Sequence, residues 1–344
     1  MRVVLPDMSL AIGAGVDLDE SQSRPPKRDQ GRPMVENNVT AATEFFLLGF
    51  QTSQFSRIFL FCLLLVVYCG TICGNLLITT LVSTSKNLQT PMYFFISQLS
   101  ISDVMVITNI VPNMLQILLN HGKTITFIDC ITQLYFFCSS EAFECFLLAV
   151  MSYDRYVAIC NPLRYASIMT NIHCIKLSAM CWLASFTITL TNSITISMLE
   201  FCGPNVIDHF FCDIILFLNL ACSDTFIIQL EIYAIGIPII LIPTTIIVVS
   251  YTYIVLAVLS ISSSTGRQKA FSTCSSHLIV VSIFYWTMFI VYVVPTKVLT
   301  FSMGKILSML YTVFTPLVNP IIYSLRNKDI KKAIQETLRR SVIW

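Results

Sequence analysis

At 344 residues, 55% of them hydrophobic and only 12% charged, with a mean hydropathy of +0.76, the chain is too apolar for an ordinary soluble domain. Its net charge of +2 comes without any basic cluster of the kind a nucleic acid would need, so a nucleic-acid partner is excluded.

The first 44 residues differ from the rest. "ESQSRPPKRDQGRP" is polar, carries prolines and lacks helical periodicity, which is the composition of a disordered tail. It holds no apolar core of signal-peptide length, so the first hydrophobic run is expected to act as an uncleaved signal anchor. Asn38 opens the triplet "NVT", a glycosylation sequon.

A bilayer core about 30 Å thick takes roughly 20 apolar residues per helix. Runs at 58–82, 177–199, 232–259, 270–295 and 306–325 contain no Asp, Glu, Lys or Arg, and runs at 92–119 and 131–153 are interrupted by carboxylates. Backbone groups in lipid must pair within the protein, and runs of this length without period-two alternation favour helices over a barrel. The expected fold is therefore all-α: seven membrane-spanning helices in a bundle.

Seven spans put the termini on opposite sides. Twelve basic residues follow the first, third and fifth spans or lie in the tail: Lys86, Arg155, Arg164, Lys176, Arg267, Lys269, Arg326, Lys328, Lys331, Lys332, Arg339 and Arg340. Only Arg57, Lys123, Lys297 and Lys305 lie close to the spans on the other side, so the tail is read as cytoplasmic and the amino terminus, Asn38 included, as extracellular. The boundaries are an extracellular tail at 1–56, a seven-span membrane domain at 57–325 and a cytoplasmic tail at 326–344. In that last segment "SLRNKDIKKAIQETLRR" sets Ile330, Ile334 and Leu338 on one face among basic residues, the pattern of an interfacial helix on anionic membrane lipid.

Of the thirteen cysteines, Cys62, Cys69, Cys73, Cys138, Cys145, Cys181 and Cys274 fall within spans and read as small packing residues. Cys202, Cys212 and Cys222 are ten apart in the exterior loop after span four, and Cys130 begins span three. Four cysteines in an oxidising compartment allow three connectivities, and two disulfides would pin the loop as a lid.

Asp103, Glu141 and Glu144 are the costliest polar groups inside the bilayer and should face the bundle interior. Glu141 and Glu144, three apart, share a helix face, so their titrations should couple or the pair should share a cation. Pro316 and Pro320 free carbonyls in the last span around Asn319, making it irregular, and Pro238, Pro243 and Pro295 are further kink sites. There is no G-x-S-x-G or H-E-x-x-H, "GKT" at 122–124 lacks the upstream glycine of a phosphate loop, and Cys274 with His277 lacks a second pair of metal ligands. No catalytic residue and no metal site is expected, and the chain is not read as an enzyme.

Several stretches, in order, carry a resemblance: "GN" at 74–75, "LQTPMYFF" at 88–95, "LSISD" at 99–103, "MSYDRYVAICNPLRY" at 151–165, "SY" at 250–251, "KAFSTCSSHL" at 269–278 and "PLVNPIIYSLRN" at 316–327. With the three loop cysteines they resemble the vertebrate odorant receptors, a branch of the rhodopsin-like G-protein-coupled receptors. The resemblance runs from about Glu44 to Arg340. It implies a multi-pass plasma-membrane receptor that binds a small volatile odorant and activates a heterotrimeric G protein of the stimulatory olfactory type, raising cAMP. A rhodopsin-like receptor for a non-odorant small ligand is the nearest alternative, and a transporter or channel is the alternative from another class.

Carried over by position, Asp154 restrains Arg155 in the resting state, and Tyr156, Tyr251, Lys269, Asn319, Pro320 and Tyr323 belong to activation and G-protein coupling. Asp103, Glu144 and Asn319 resemble an ion-binding cluster that takes sodium, and no other cofactor is implied. The family pairing is Cys130 with Cys212 and Cys202 with Cys222. Phe137, Cys138, Glu141, Ile235, Ile239, Tyr285, Phe289 and Tyr292 are expected to line the ligand pocket. Glu141, not usual in the family, is expected to contact ligand. Three departures stand out: residues 1–33 precede Met34, where the family's chains begin; Gln89 stands where histidine is common; and Trp286 replaces a common glycine, which should alter the pocket's shape.

Overall fold

The computed structural model describes residues 43–202, 205–293 and 301–342. Six helices in it are long and apolar enough to cross a membrane, spans one to five and seven: Gln54–Thr84, Pro91–Asn120, Phe127–Cys160, Asn171–Ser197, Phe226–Ser260 and Met303–Ser324. The sixth span is the helix Ser264–Val293, whose apolar stretch Cys274–Phe289 is shorter. Each helix is longer than its apolar run, and several begin at polar caps beyond it. The Ser53, Thr126 and Thr170 hydroxyls accept from the Ser56, Asp129 and His173 amides. Pro91 opens span two, where a missing N–H costs nothing.

Span three is the central post, buried from Cys130 down to Val157. Spans one, four and five turn large apolar side chains outward, among them Phe59, Leu183 and Leu241. Cys62, Cys69 and Cys73 are exposed on span one, so they do not serve as the packing residues expected of them.

The last span is irregular, but one turn before its prolines and not around Asn319, which lies in regular α-helix. It runs as Phe301–Met309, a π-helical stretch Leu310–Phe314, and Thr315–Arg326. Pro320 has no N–H for the Pro316 carbonyl, and Asn75 of "GN" donates its Nδ2 to that carbonyl at 3.1 Å. Gly74 packs beside Pro320: a Cβ there would stand 3.4 Å from the ring, an ordinary van der Waals contact. Replacing Asn75 with leucine therefore strands a buried carbonyl and should cost about 1–3 kcal/mol, read as a lower thermal midpoint of the detergent-purified receptor.

The tail forms a helix, Lys328–Val342, with Ile330 and Ala333 buried and Lys331 and Lys332 exposed. Its start is fastened to span two by the Tyr93 hydroxyl, which donates to Asn327 and Asp329 at 2.8 and 2.9 Å.

The exterior face differs from expectation. Glu44–Leu47 is not tail but strand β1, flanked by antiparallel β2 (Lys123–Thr126) and parallel β3 (Val206–Ile207). Gly122 allows the close approach: its φ is +137°, and a Cβ would meet the Phe46 ring at 2.3 Å. Phe45 packs edge-on against Phe201 and Phe217 beneath the sheet. Lys305, at the outer end of the last span, donates to the Gly49 carbonyl at 2.7 Å and pairs with Asp208, tying the lid to the bundle.

Candidate functional site: an outer cavity, a carboxyl cluster and a cytoplasmic latch

Beneath the lid lies a cavity of about 210 Å³, walled by spans three to seven and by the loop after Cys212. Cys130 and Cys212 are bonded, which draws that loop across the top of span three, and the Cys212 amide donates to the Gln133 side chain at 3.0 Å. The second disulfide joins Cys202 and Cys222 at the exposed side of the loop. Asp213 then starts the short helix Ile214–Leu220, which roofs the cavity, its carboxylate accepting from the Ile214 amide at 2.7 Å.

Deeper in the bundle, Asp103, Glu141 and Glu144 form one group of interacting carboxyls. Asp103 is fully buried, and Asn319 donates its Nδ2 to both carboxylate oxygens, at 3.0 and 3.3 Å. Glu144 is also buried, whereas Glu141 opens onto the cavity wall. One Glu141 oxygen, Oε2, is buried without a hydrogen-bond partner among the described residues, and the Tyr311 hydroxyl of the last span adjoins the carboxyl. Among the described residues no group of three or more His, Cys, Asp or Glu is disposed to hold a metal.

At the opposite end, Arg155 turns back onto its neighbour: Nε donates to Asp154 Oδ2 at 2.9 Å and a second guanidinium nitrogen joins the same oxygen. The other Asp154 oxygen accepts from the Tyr165 hydroxyl at 2.9 Å. Burial and the Asp154 carboxylate push the Tyr165 phenol above its ordinary range, so it stays a donor. Tyr251 and His277 share a 2.6 Å hydrogen bond between spans five and six, and Tyr323 is buried with a hydroxyl that has no partner among the described residues.

Comparison with known families matches residues 61–341 to the model described as "Olfactory receptor". The chain belongs to the olfactory receptor family. It is 45% identical to olfactory receptor 6B9 of Mus musculus over 301 residues, spanning 88% of this chain and 95% of that one. Identity to olfactory receptors 10A7 and 11L1 of Homo sapiens is 44%, over 310 and 313 residues, in each case 90% of this chain and 98% or 97% of the relative. It is thus a multi-pass membrane receptor of the G-protein-coupled class and not an enzyme.

Within this olfactory receptor the cavity wall takes in Phe137, Cys138, Glu141 and Ile239, as the sequence anticipated. Three expected wall residues are corrected. Ile235 faces a separate outward groove with Thr187 and Pro238, Tyr285 packs edge-on against Phe284 outside the wall, and Phe289 is 50% exposed on the lipid side. Trp286, 65% exposed and stacked on Phe289, also points away, so it does not reshape the pocket. Tyr156 is half-buried beside Tyr253 rather than against Arg155, and Pro320 packs at Gly74. Asn38 lies outside the described residues, as do the side chains of Tyr292 and Lys269. Sequence reasoning missed Asp213, Asn192, Thr189, Met288 and Tyr311 in the wall. Of these only Asp213 carried a signal, its place directly after a bridgeable cysteine.

Proposed function

We propose that the receptor binds a small volatile odorant in the outer cavity and activates a heterotrimeric G protein of the stimulatory olfactory type, raising cAMP. The observation that carries this reading is the cavity itself, roofed by a disulfide-pinned lid and walled mostly by apolar side chains such as Ile232, Ile239 and Met288. Its volume falls below the roughly 300 Å³ at which drug-sized sites begin, which suits an odorant. The distribution of lysine and arginine supports a plasma-membrane topology with the amino terminus outside and the tail helix lying on the cytoplasmic leaflet.

Asp154 holds Arg155 in the resting state. An agonist that prefers the arrangement with span six swung outward releases Arg155 to the G protein, with Tyr156, Tyr251, Lys269, Asn319, Pro320 and Tyr323 accommodating the change. A preference of about 1–3 kcal/mol for that state shifts the active population five- to 150-fold. Asp103 and Glu144 would hold a sodium ion in the resting receptor: both carboxyls are buried, they offer the oxygen donors a hard cation prefers, and the ion would offset their charge.

The test is an odorant panel on cells that display the tagged receptor with an olfactory-type α-subunit and a cAMP reporter. Agonists should raise cAMP, and Gly236→Phe, which fills the wall at a residue without a side chain, should abolish the response at equal surface abundance. Ligand uptake without cAMP would point to a transporter instead, and an unchanged response in the filled variant would place the ligand elsewhere.

A further inference from the structure

Among the described residues lining the outer cavity there are two carboxylates, Glu141 and Asp213, and no lysine, arginine or histidine. Glu141 presents a buried oxygen, Oε2, with no hydrogen-bond partner among the described residues, the Tyr311 hydroxyl adjoining the same carboxyl. From these observations we propose that the ligand class of this receptor is a small alkyl amine in its ammonium form, bound by Glu141 at the cavity floor and drawn in by Asp213 at the mouth.

The inference rests on the cavity being the odorant site, and the physical argument compares three chemistries in the same space. An ammonium group would give the orphaned Glu141 oxygen a charge-assisted hydrogen bond and offset the cost of a carboxylate in an apolar wall. A carbonyl compound of the same shape pairs with Glu141 only while that residue holds a proton, and an alcohol can donate its O–H to the carboxylate but makes a weaker bond than an ammonium and carries no charge for Asp213 to attract. A carboxylate ligand meets like charge at both ends and is rejected.

The rings at the floor point the same way. Phe137 and Tyr311 meet edge to face, with centroids 6.0 Å apart, and border the space beside the Glu141 carboxyl. Aromatic faces attract a cation and repel an anion. Asp213 holds its position through the Ile214 amide, so its carboxylate is fixed in the roof of the cavity. Acidic lining inside low-dielectric walls concentrates cations within the cleft. The alkyl chain then lies along Ile239, Met288 and Leu218.

The experiment uses the full-length receptor, tagged and quantified at the cell surface, with straight-chain primary amines from butylamine to decylamine, the matching alcohols and the matching carboxylic acids. At least one amine should act at lower concentration than its alcohol and acid counterparts. Glu141→Gln should raise the half-maximal amine concentration about 30-fold or more, Glu141→Asp should recover part of the loss, and Asp213→Asn should raise it up to about fivefold. Greater potency of alcohols or acids, or an amine response unchanged by Glu141→Gln at matched surface abundance, overturns the amine assignment while leaving the odorant reading intact. Silence toward all three classes in a surface-displayed receptor overturns this inference, and the odorant reading then stands or falls on the broader panel.

Discussion

Cys212→Ser should remove most of the receptor from the cell surface, and Cys202→Ser should do markedly less. The Cys130–Cys212 bond closes a loop of 82 residues and Cys202–Cys222 one of 20, so the chain-entropy model assigns them about 4.5 and 3.3 kcal/mol. The difference widens on structural grounds. Cys130 and Cys212 are fully buried at the top of the central helix and position Asp213 and the roof, while Cys202 and Cys222 sit at the exposed side of the loop. Inserted helices already restrain the unfolded chain in a membrane, so these figures are upper bounds on the direct effect. Flow cytometry of tagged receptor gives the ranking; equal losses for the two variants would mean that the roof contributes no more than the outer loop.

Arg155→Ala should abolish cAMP signalling and destabilise the receptor by about 3–5 kcal/mol, because it leaves Asp154, which has no exposed surface, without its counter-charge. Asp154→Asn should act in the opposite sense on signalling. The amide keeps an oxygen for the Tyr165 hydroxyl but releases Arg155 from an anionic partner, so basal cAMP should rise severalfold without agonist. Measuring surface abundance beside basal and stimulated cAMP separates the two consequences. A basal level unchanged by Asp154→Asn would mean that the pair does not restrain the resting state.

The span pattern was legible because hydrocarbon thickness and backbone satisfaction leave little freedom, and the latch because its motif is local in sequence. The lid was not. Glu44–Leu47 is a four-residue strand whose partners lie about 80 and 160 positions away, and nothing in so short a segment announces them. The errors in the wall have one physical origin. Spans five and six are apolar on every side, so periodicity cannot say which residues of "FYWTMF" face the bundle, and Phe289, Trp286 and Ile235 turned outward. Glu141 was legible because a carboxyl in that setting has few places to go. Tyr311 was hidden because it lies in the π-helical stretch, which breaks the phase that relates it to Asn319.

That stretch has a mechanical meaning. Tyr311 borders the cavity while Asn319 and Tyr323 stand further down the same rod, and the widened coil between them holds one residue more than regular winding would. Drawing that residue back into regular pitch would turn the lower half of the rod by about 100° relative to Tyr311. A shift of one ring at the top would then reach the cytoplasmic end as a rotation, with no need to bend the helix.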